Sequence, residues 1–436
     1  MSHVPQSQAP LSQAPLGQAP QSELTSSEAA ELVQTAPIRL GADAAPGTPL
    51  YVHLPFCAAK CHYCDFFSVP VERGGSAPSR WDVDAMVEAI LVEARGRAAP
   101  APRTVFLGGG TPSLLSEAQL RRLLDGLDEL LGWRASATEV TAECNPESLD
   151  RAKARALLDL GVRRLSIGFQ SLDDATLALF GRVHSVADSF AAYDAARAAG
   201  IEHLNIDLIY AIPGQTAATW ARDLARVLDL GPEHLSAYNL TFEEDTRFKR
   251  WLDQGRLQSA PEEVELEMLA TTRALTARAG LAAYEVSNHA RPGEACAHNV
   301  NYWLNGPYVG LGPGAVSQVG GIRAGNSRAI VPYLRRVAAS GQALDWREEL
   351  APLARLGETW WLGLRLAAGV EPSEARATAR LELTPGAPDP ALAIAEEHRA
   401  LGLLERVDGR YRLTSAGLPV ADGVARQFLT RLGRGD

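Results

Sequence analysis

The chain has 436 residues, of which 46% are hydrophobic and 22% are charged, and its formal net charge at pH 7 is −10. This length allows two or three domains with a large core. The negative charge argues against a nucleic-acid partner, which would need clustered positive charge. No run of about 18 apolar residues occurs, so we expect no transmembrane segment. Five cysteines and no secretory signal predict a cytoplasmic location.

Residues 1–46 form a low-complexity segment in which Gln-Ala-Pro recurs every five residues, at Gln8, Gln13 and Gln18. A segment with so few large apolar side chains cannot bury enough surface to offset the entropy lost on ordering. We therefore predict a disordered tail that contains at most a short helix at Ser26–Gln34.

Residues 47–245 alternate short apolar runs with amphipathic stretches, a pattern that predicts parallel strands joined by right-handed helical crossovers. Six such units are too few to close an eight-stranded barrel, so we predict a partial (β/α)6 barrel of the TIM type, with its chemistry at the C-terminal ends of the strands. The predicted strands are Leu50–Leu54, Thr104–Leu107, Glu139–Ala142, Arg164–Ile167, His203–Ile209 and His234–Leu240. The predicted helices are Asp82–Arg95, Ser116–Leu131, Leu149–Leu160, Ser185–Ala199 and Thr216–Leu230.

Three cysteines follow the first predicted strand in a C-x3-C-x2-C array, at Cys57, Cys61 and Cys64. This spacing directs three thiols to one side of a helical turn or of a tight loop. Three thiolates can hold a four-iron cluster and leave one iron open to a small molecule. Two alternatives remain, a zinc ion completed by His53 or His62 and thiols without a ligand, since a disulfide would leave one thiol unpaired.

Polar or glycine-rich segments end the next two strands. Gly108–Ser113 begins with three glycines, which on their own favour a tight turn and also allow a polar ligand to approach the backbone. Glu143 ends the third strand, where a carboxylate can accept charge-assisted hydrogen bonds. Glu147 fits the role of an acid at a helix N-terminus better, and Cys144 is predicted to be a packed thiol because it lies away from the array.

The cysteine array resembles that of the radical S-adenosylmethionine (SAM) superfamily. Further motifs resemble its coproporphyrinogen dehydrogenase-like branch, which contains the HemN enzyme and the HemW heme chaperone. These motifs are Gln170 in Ser-Ile-Gly-Phe-Gln-Ser, Arg182 in Gly-Arg-Val-His, and Asp207 before Ile-Pro-Gly-Gln. The resemblance extends from Tyr51 to the C-terminal end and implies a [4Fe-4S] cluster on the three cysteines, with SAM chelated at the open iron.

The resemblance also implies roles for single residues. An aromatic ring packs beside SAM, a glycine motif receives its amino group, a glutamate holds its ribose, and a glutamine, an arginine and an aspartate contact a second SAM in the HemN enzyme. Ala315 and Val316 are implied to lie near the adenine. The implied cofactor-binding residues are Tyr51, Tyr63, Gly109, Gly110, Thr111, Glu143, Gln170, Arg182, Asp207 and, for heme, His298.

Two features separate the branches of this family. The dehydrogenase has a further cysteine two residues after the third, where this chain has Phe66, as in the chaperone branch. The segment from His298 to Trp303 matches the H-N-x-x-Y-W motif that is linked to heme binding in the chaperone. An imidazole is a good axial ligand for heme iron, and Tyr302 is spaced to share a helix face with it. Cys296 is a second candidate ligand, and structural packing of the histidine is the third interpretation.

Residues 246–330 are predicted to form an α/β extension of the barrel that carries this motif. Residues 331–436 are predicted to form a helical, winged-helix-like domain that covers the open side of the barrel. Its predicted elements are helices Val331–Ala339, Glu348–Ala367 and Pro390–Leu401, a hairpin of Leu404–Val407 and Tyr411–Leu413 around Asp408-Gly409, and a last helix Thr414–Leu432.

The residues themselves indicate an open cluster and a candidate heme ligand, and the family resemblance implies a heme chaperone that binds a [4Fe-4S] cluster, SAM and heme and passes heme to an unidentified acceptor protein. The rival is an oxygen-independent coproporphyrinogen III dehydrogenase, which would use a deoxyadenosyl radical in the oxidative decarboxylation that gives protoporphyrinogen IX. A zinc-stabilised interaction module is the weaker third hypothesis. The sequence leaves a homodimer and a peripheral contact with a membrane open.

Overall fold

The computed structural model describes residues 44–71, 82–97 and 99–433. The predicted tail and its short helix lie outside the described residues, except for positions 44–46. The strands are β1 (Leu50–Leu54), β2 (Phe56–Cys57), β3 (Val69–Pro70), β4 (Thr104–Gly109), β5 (Glu139–Cys144), β6 (Arg164–Gln170), β7 (His203–Tyr210), β8 (His234–Asn239), β9 (Ala282–Ala283), β10 (Asn288–Ala290), β11 (Val309–Leu311), β12 (Val316–Val319), β13 (Ile322–Asn326), β14 (Leu344–Glu349), β15 (Leu404–Val407) and β16 (Arg410–Leu413).

The helices of the described residues surround this framework. They are Val83–Arg97, Glu117–Leu131, Trp133–Ser136, Arg151–Asp159, Asp174–Phe180, Val186–Ala199, Ala217–Leu228, Arg247–Asp253, Glu262–Arg278, Ala297–Trp303, Ile330–Ser340, Pro352–Gly363, Pro372–Ala379, Pro390–Ala400 and Ala421–Leu432.

The barrel is built on β1, β4, β5, β6, β7 and β8, which pair in this order and run parallel. All six predicted strands and all five predicted barrel helices are present, with ends within three residues of those observed. Apolar residues of the strands, such as Val105, Leu165 and Ile206, are fully buried against the helices. The predicted partial (β/α)6 barrel is therefore confirmed.

The ends of the barrel helices are determined by local side chains. Ser116, Ser185 and Thr216 each precede a helix, and each side-chain oxygen accepts a hydrogen bond from the backbone N–H three residues later. Such caps are worth about 1 kcal/mol each because they satisfy an otherwise unpaired donor. Gly132 and Gly200 end two of the helices in the left-handed conformation that glycine adopts without strain.

The sheet is longer than the six predicted strands. Among the described residues it has nine strands in the order β11-β1-β4-β5-β6-β7-β8-β10-β9. β11 pairs parallel to β1, with Val309 beside Leu50, whereas β10 is antiparallel to β8. The sequence analysis missed these additions because strands of two or three residues are too short to show an alternating pattern.

A buried ion pair joins the first barrel helix to the extension. Glu93 and Arg97 are 0% and 1% exposed, and their side chains meet at 2.5 Å. Arg97 also donates to Asn326 Oδ1 at 2.7 Å and to Ser317 Oγ at 2.9 Å, and the Tyr333 hydroxyl donates to Glu93 at 2.8 Å. This network connects the helix Val83–Arg97 to β12, β13 and the helix after them.

The predicted helix Glu348–Ala367 is too long. β14 extends through Glu349 and pairs antiparallel with β13, and the helix itself covers only Pro352–Gly363. Proline at the first helical position has no N–H to leave unpaired and a φ that suits the helix, so Pro352 determines the start. The last predicted helix, Thr414–Leu432, likewise starts late, at Ala421, after a short 3-10 turn.

The C-terminal region has a hydrophobic core of its own. In this core the indole of Trp360 stacks on Phe428 with ring centroids 4.7 Å apart. The predicted hairpin is present as β15 and β16, and Asp408 and Gly409 of its turn have φ values of 51° and 85°. Helices followed by this hairpin agree with the predicted winged-helix-like character.

The described residues have a main hydrophobic core and a second one in the C-terminal region. Ile330 and Val337 pack into the main core, and the second core contains residues from Leu356 onward. The C-terminal region contacts the barrel edge where the Ala367 N–H donates to the Tyr284 carbonyl at 2.9 Å. Among the described residues, no helix is both long enough and apolar enough to cross a membrane.

Candidate functional site

The three cysteines of the array lie beyond the C-terminal end of β1. Cys57 ends the short strand β2, which pairs parallel with β3. Cys61 and Cys64 stand on either side of a turn at His62 and Tyr63 between these strands, so the array forms a tight loop rather than a helical turn. All three are partly exposed free thiols. The loop therefore presents three thiols at the end of the barrel where the fold places its chemistry.

Each of these three sulfurs has a hydrogen-bond donor from a different segment. The pairs are Thr111 Oγ1 to Cys57 Sγ at 3.7 Å, Arg182 Nη1 to Cys61 Sγ at 3.5 Å, and Lys60 Nζ to Cys64 Sγ at 3.8 Å. Burial raises the pKa of Cys64 to about 12, and a bound metal cation would favour the thiolate form. Thiolates that ligate iron accept such hydrogen bonds, and the donor set fits an iron–sulfur cluster.

The two histidines that could complete a zinc site have other partners. His53 Nδ1 lies 2.9 Å from the Tyr51 hydroxyl and His53 Nε2 lies 2.8 Å from the Phe67 carbonyl, while His62 Nδ1 lies 2.9 Å from the Leu179 carbonyl. Burial lowers the pKa of His53 to about 4. Among the described residues, no three His, Cys, Asp or Glu side chains, the three cysteines included, are grouped around a point for a single metal ion, whereas a cluster takes each thiolate on a different iron.

The glycine segment at the end of β4 packs tightly against the residues that lead into the cysteine loop. A Cβ atom on Gly109 would lie 2.4 Å from the His53 ring, and one on Gly110 would lie 2.5 Å from the Phe56 carbonyl oxygen. Gly109 also has a φ of 103°, which strains any other residue. Its N–H donates to Glu143 Oε2 at 3.0 Å. The close packing explains the glycines, and the hydrogen bond joins this segment to Glu143.

Glu143 and Asp207 are half-buried carboxyl groups, the first near the end of β5 and the second within β7. Burial, and secondly the charge of Asp207, raises the pKa of Glu143 to about 8. Asp207 accepts from Ser166 Oγ at 2.7 Å and from Asn205 Nδ2 at 2.8 Å, and burial raises its pKa as well. Two carboxyl groups inside a barrel can accept hydrogen bonds from the hydroxyl or amino groups of a polar ligand.

Gln170 and Arg182 converge at the end of β6. Arg182 Nη2 donates to Asn145 Oδ1 at 2.7 Å and to the Gly168 carbonyl at 2.9 Å. Gln170 has a φ of 66° at a register shift, and a Cβ on Gly168 would lie 2.7 Å from its Nε2. Asn145 also donates to Thr111 Oγ1 at 2.8 Å and thus connects the donors of two cysteines. The sequence analysis missed this asparagine, although it directly follows a strand.

The ring of Tyr63 packs beside the cysteine loop. Its centroid lies 4.9 Å from that of Phe180 and 6.3 Å from that of Phe248, both in edge-to-face geometry. Such contacts favour a defined ring position. Ala315, implied to lie near adenine, is 1% exposed and follows β11, while Val316 begins β12. The contacts of these residues with a ligand stay predictions.

The histidine of the H-N-x-x-Y-W motif lies at the other end of the strands. His298 is 1% exposed, and its Nδ1 and Nε2 lie 2.8 Å and 3.0 Å from the hydroxyls of Thr104 and Tyr302. Its backbone N–H donates to Glu139 at 2.9 Å. Thr104 and Glu139 begin β4 and β5, whereas the cysteine loop lies beyond the strand ends. The structure therefore does not bring His298 together with the three cysteines.

Cys296, two residues before His298, and Trp303 at the end of the motif also contact other side chains. Cys296 is 7% exposed, and its thiol donates to Glu139 Oε1 at 3.3 Å. The Trp303 ring lies under the Arg365 guanidinium at 5.0 Å, and Arg365 pairs with Asp422 of the last helix at 2.7 Å. The C-terminal region therefore packs directly against this motif.

A chain of hydrogen bonds joins the two ends of the barrel. Asn205 contacts Asp207 at 2.8 Å and His234 Nδ1 at 2.7 Å. His234 Nε2 contacts the Tyr284 hydroxyl at 2.9 Å, which in turn accepts from Asn299 Nδ2 at 3.2 Å. Asn299 is the second residue of the motif, so polar contacts run from Asp207 to the motif helix.

The environment of His298 predicts a pH-dependent contribution to stability. Burial lowers the pKa of His298 to about 3, and it is near 6.5 in an unfolded chain. Below about pH 6.5 the unfolded chain gains a proton that the folded chain does not bind, so the neutral ring stabilises the fold less as pH falls. The His298→Gln variant has no such titration. The amount by which its free energy of unfolding falls below that of wild type should therefore be about 1.4 kcal/mol smaller at about pH 5.5 than at about pH 7.5.

Urea unfolding of both proteins at the two pH values measures this difference. A deficit that does not change with pH would contradict a neutral buried His298. The same deficit growing as pH falls would indicate a charged ring.

Comparisons with known proteins agree with the fold. The sequence profile of the Radical SAM superfamily matches residues 51–227. The heme chaperone HemW of Bacillus subtilis is 35% identical over 73% of this chain and 84% of its own length. The heme chaperone HemW of Mycobacterium tuberculosis is 35% identical over 90% of this chain and 98% of its own length. The solved structure of the coproporphyrinogen III oxidase HemN from Escherichia coli has a TM-score of 0.73, with 24% identity over 93% of this chain and 94% of that one. The chain therefore belongs to the radical SAM superfamily and, within it, to the HemW family.

Proposed function

We propose that this protein is a heme chaperone that holds a [4Fe-4S] cluster on Cys57, Cys61 and Cys64, binds SAM at the open iron, binds heme and transfers it to an acceptor protein. The observation that carries the proposal is the three-thiol loop, with a donor on each sulfur, in a chain 35% identical to two relatives that are named heme chaperones. All five cysteines are free thiols, which agrees with a reducing cytoplasm.

The residues around the loop suit a polar ligand beside the cluster. Such a cluster would supply an iron that the amino and carboxylate groups of SAM could chelate. Glu143 would accept hydrogen bonds from the ribose hydroxyls, and Gly109 and Gly110 would face the amino group. Asp207 lies in β7 and Arg182 follows the helix Asp174–Phe180, and both supply further polar groups to this side of the barrel.

Substitution of Glu143 should have a large effect on the affinity for SAM. Replacing Glu143 by glutamine or alanine should weaken SAM binding by about ten- to a hundredfold, because a hydrogen-bonding group left without its partner in a closed site costs about 1–3 kcal/mol. Equilibrium binding of SAM to the reconstituted protein measures this loss, and the iron content should stay that of wild type.

Glu147→Gln is the matched control for this loss of SAM affinity. Glu147 belongs to the same segment, but its carboxylate lies 3.4 Å from His184 Nδ1. Its substitution should leave SAM affinity unchanged. Equal affinities for Glu143→Gln and wild type, at equal iron content, would move the ribose contact to another residue.

Heme binding at the motif would require a rearrangement. His298 Nε2 faces the Tyr302 hydroxyl and the ring is buried, so ligation of heme iron would exchange this contact for the metal. The short helix Ala297–Trp303 is held by Glu139 at its start and by Arg365 at its end. We propose that this helix shifts when heme binds, with His298 as the axial ligand.

One experiment tests the function as a whole. The full chain, reconstituted anaerobically with iron and sulfide, should shift the heme Soret band and should not convert coproporphyrinogen III in the presence of SAM and a reductant. Phe66 stands where the dehydrogenase has a further cysteine, and its side chain is 62% exposed. Turnover of coproporphyrinogen III would overturn the chaperone proposal in favour of the dehydrogenase.

Variants identify the heme ligand. His298→Ala should move or weaken the Soret band while the cluster persists, because loss of an axial ligand changes the electronic state of the iron. His289→Ala, which removes another buried histidine, should bind heme as wild type does. A larger change in Cys296→Ala would make the thiolate the ligand, and equal changes in His289→Ala and His298→Ala would indicate general unfolding.

A further inference from the structure

Lys60 lies between Cys57 and Cys61 in the sequence, and three contacts hold its ammonium beside the cysteine loop. Its ammonium is 3.8 Å from Cys64 Sγ, 2.5 Å from the Phe66 carbonyl oxygen and 3.0 Å from Ser68 Oγ. The two oxygen contacts belong to the residues that follow Cys64, so the ammonium bridges the loop across the third cysteine. A long side chain fixed by two hydrogen bonds keeps its charge near the sulfur.

In the part of the chain that the structure describes, no carboxylate pairs with the ammonium of Lys60. Among the described residues, the partners of its ammonium are the thiol, a carbonyl and a hydroxyl, and none is an acid. Lys249 differs in this respect, since its ammonium lies 2.6 Å from Asp253 and 3.6 Å from Glu244. No ion pair in the described residues therefore offsets the positive charge of Lys60 beside the array.

We propose that Lys60 raises the reduction potential of the cluster on Cys57, Cys61 and Cys64, an inference that rests on the proposed function. One electron taken up from a reductant adds one negative charge to the cluster, and no bond or proton at Lys60 changes. A neighbouring positive charge stabilises the more negative, reduced state. Hydrogen bonds to the sulfurs and the net charge nearby are among the determinants of such potentials.

The exposure of Lys60 limits the size of this effect. Its side chain is exposed, so water and salt screen its charge in part. We expect the ratio of reduced to oxidised cluster, at a fixed solution potential, to fall about tenfold when the charge is removed, which is ~59 mV for a one-electron couple. Added salt should reduce the difference between wild type and variant.

A redox titration of the reconstituted full chain with dithionite, followed by electron paramagnetic resonance, measures this ratio. Lys60→Met removes the charge and the donor, Lys60→Gln keeps an amide donor for Phe66 without the charge, and Lys60→Arg keeps the charge. Lys249→Met is the matched control, because it removes a lysine that is already paired. Lys60→Met and Lys60→Gln should both lower the midpoint potential, and Lys60→Arg and Lys249→Met should retain that of wild type.

The outcomes separate this inference from the function on which it rests. Normal iron content with an unchanged midpoint in Lys60→Gln would overturn the role of Lys60 and leave the cluster assignment intact. A lowered midpoint in Lys60→Arg equal to that in Lys60→Met would also overturn it, since the charge is then not the cause. A wild-type chain that takes up no iron would overturn both.

Discussion

Cys57→Ala, Cys61→Ala and Cys64→Ala should each abolish the visible iron–sulfur absorbance of the anaerobically reconstituted protein. Three thiolates leave a cubane cluster without any spare protein ligand, so the loss of one thiolate leaves a second iron without a ligand. The structure places these three thiols in one loop and provides a separate donor for each sulfur. The expected loss is therefore complete rather than partial, and iron analysis together with absorbance measures it.

The other two cysteines are the controls for this experiment. Cys144 is 3% exposed and its thiol faces the Ala142 carbonyl, and Cys296 lies at the opposite end of the barrel. Cys144→Ala and Cys296→Ala should retain iron and absorbance. Iron retained by Cys61→Ala, or zinc in place of iron in anaerobically prepared wild type, would refute the cluster assignment.

Arg97→Met should lower the free energy of unfolding by about 3–5 kcal/mol. Removing one partner of a buried ion pair leaves the other charge without compensation in the protein interior. Here Glu93 would keep a buried carboxylate, and Asn326 and Ser317 would lose their donor. Urea unfolding of the barrel core measures the loss.

A second glutamate–arginine pair with the same spacing in a helix provides the control. Glu117 and Arg121 meet at 3.0 Å, but their side chains are 62% and 52% exposed. Arg121→Met should cost about 0.5 kcal/mol or less, because exposed pairs are screened by water. Equal losses in Arg97→Met and Arg121→Met would show that the network of Glu93 does not connect the barrel to its extension.

Most of the barrel could be predicted from the sequence, since its signals are local. The run His203–Ile209 is apolar enough for a buried strand, and Ser116 and Thr216 cap the helices that follow them in the chain. The cysteine array was equally readable, because its members lie within eight residues. For such elements the period of the side chains and the nearest neighbours in the chain decide the structure.

The contacts that define the site could not be predicted, because they join residues far apart in the chain. Arg182 donates to Cys61 across 121 positions, and Asn145 connects Thr111 to Arg182 through two amide hydrogen bonds. Polar side chains of this kind carry no periodic signal, and only the packing of neighbouring strand ends brings them together. The same holds for β11, whose three residues pair with β1 more than 250 positions earlier.

The sequence by itself therefore determined the order of the barrel elements, the three-thiol loop and the family, because each depends on short segments with a characteristic pattern. The tertiary structure alone decided that His298 lies at the strand beginnings, bound to Thr104 and Tyr302, while the cysteines lie at the strand ends. The physical reason is that a motif specifies which groups are near one another along a helix. The partners that satisfy a buried ring depend on which strands that helix packs against.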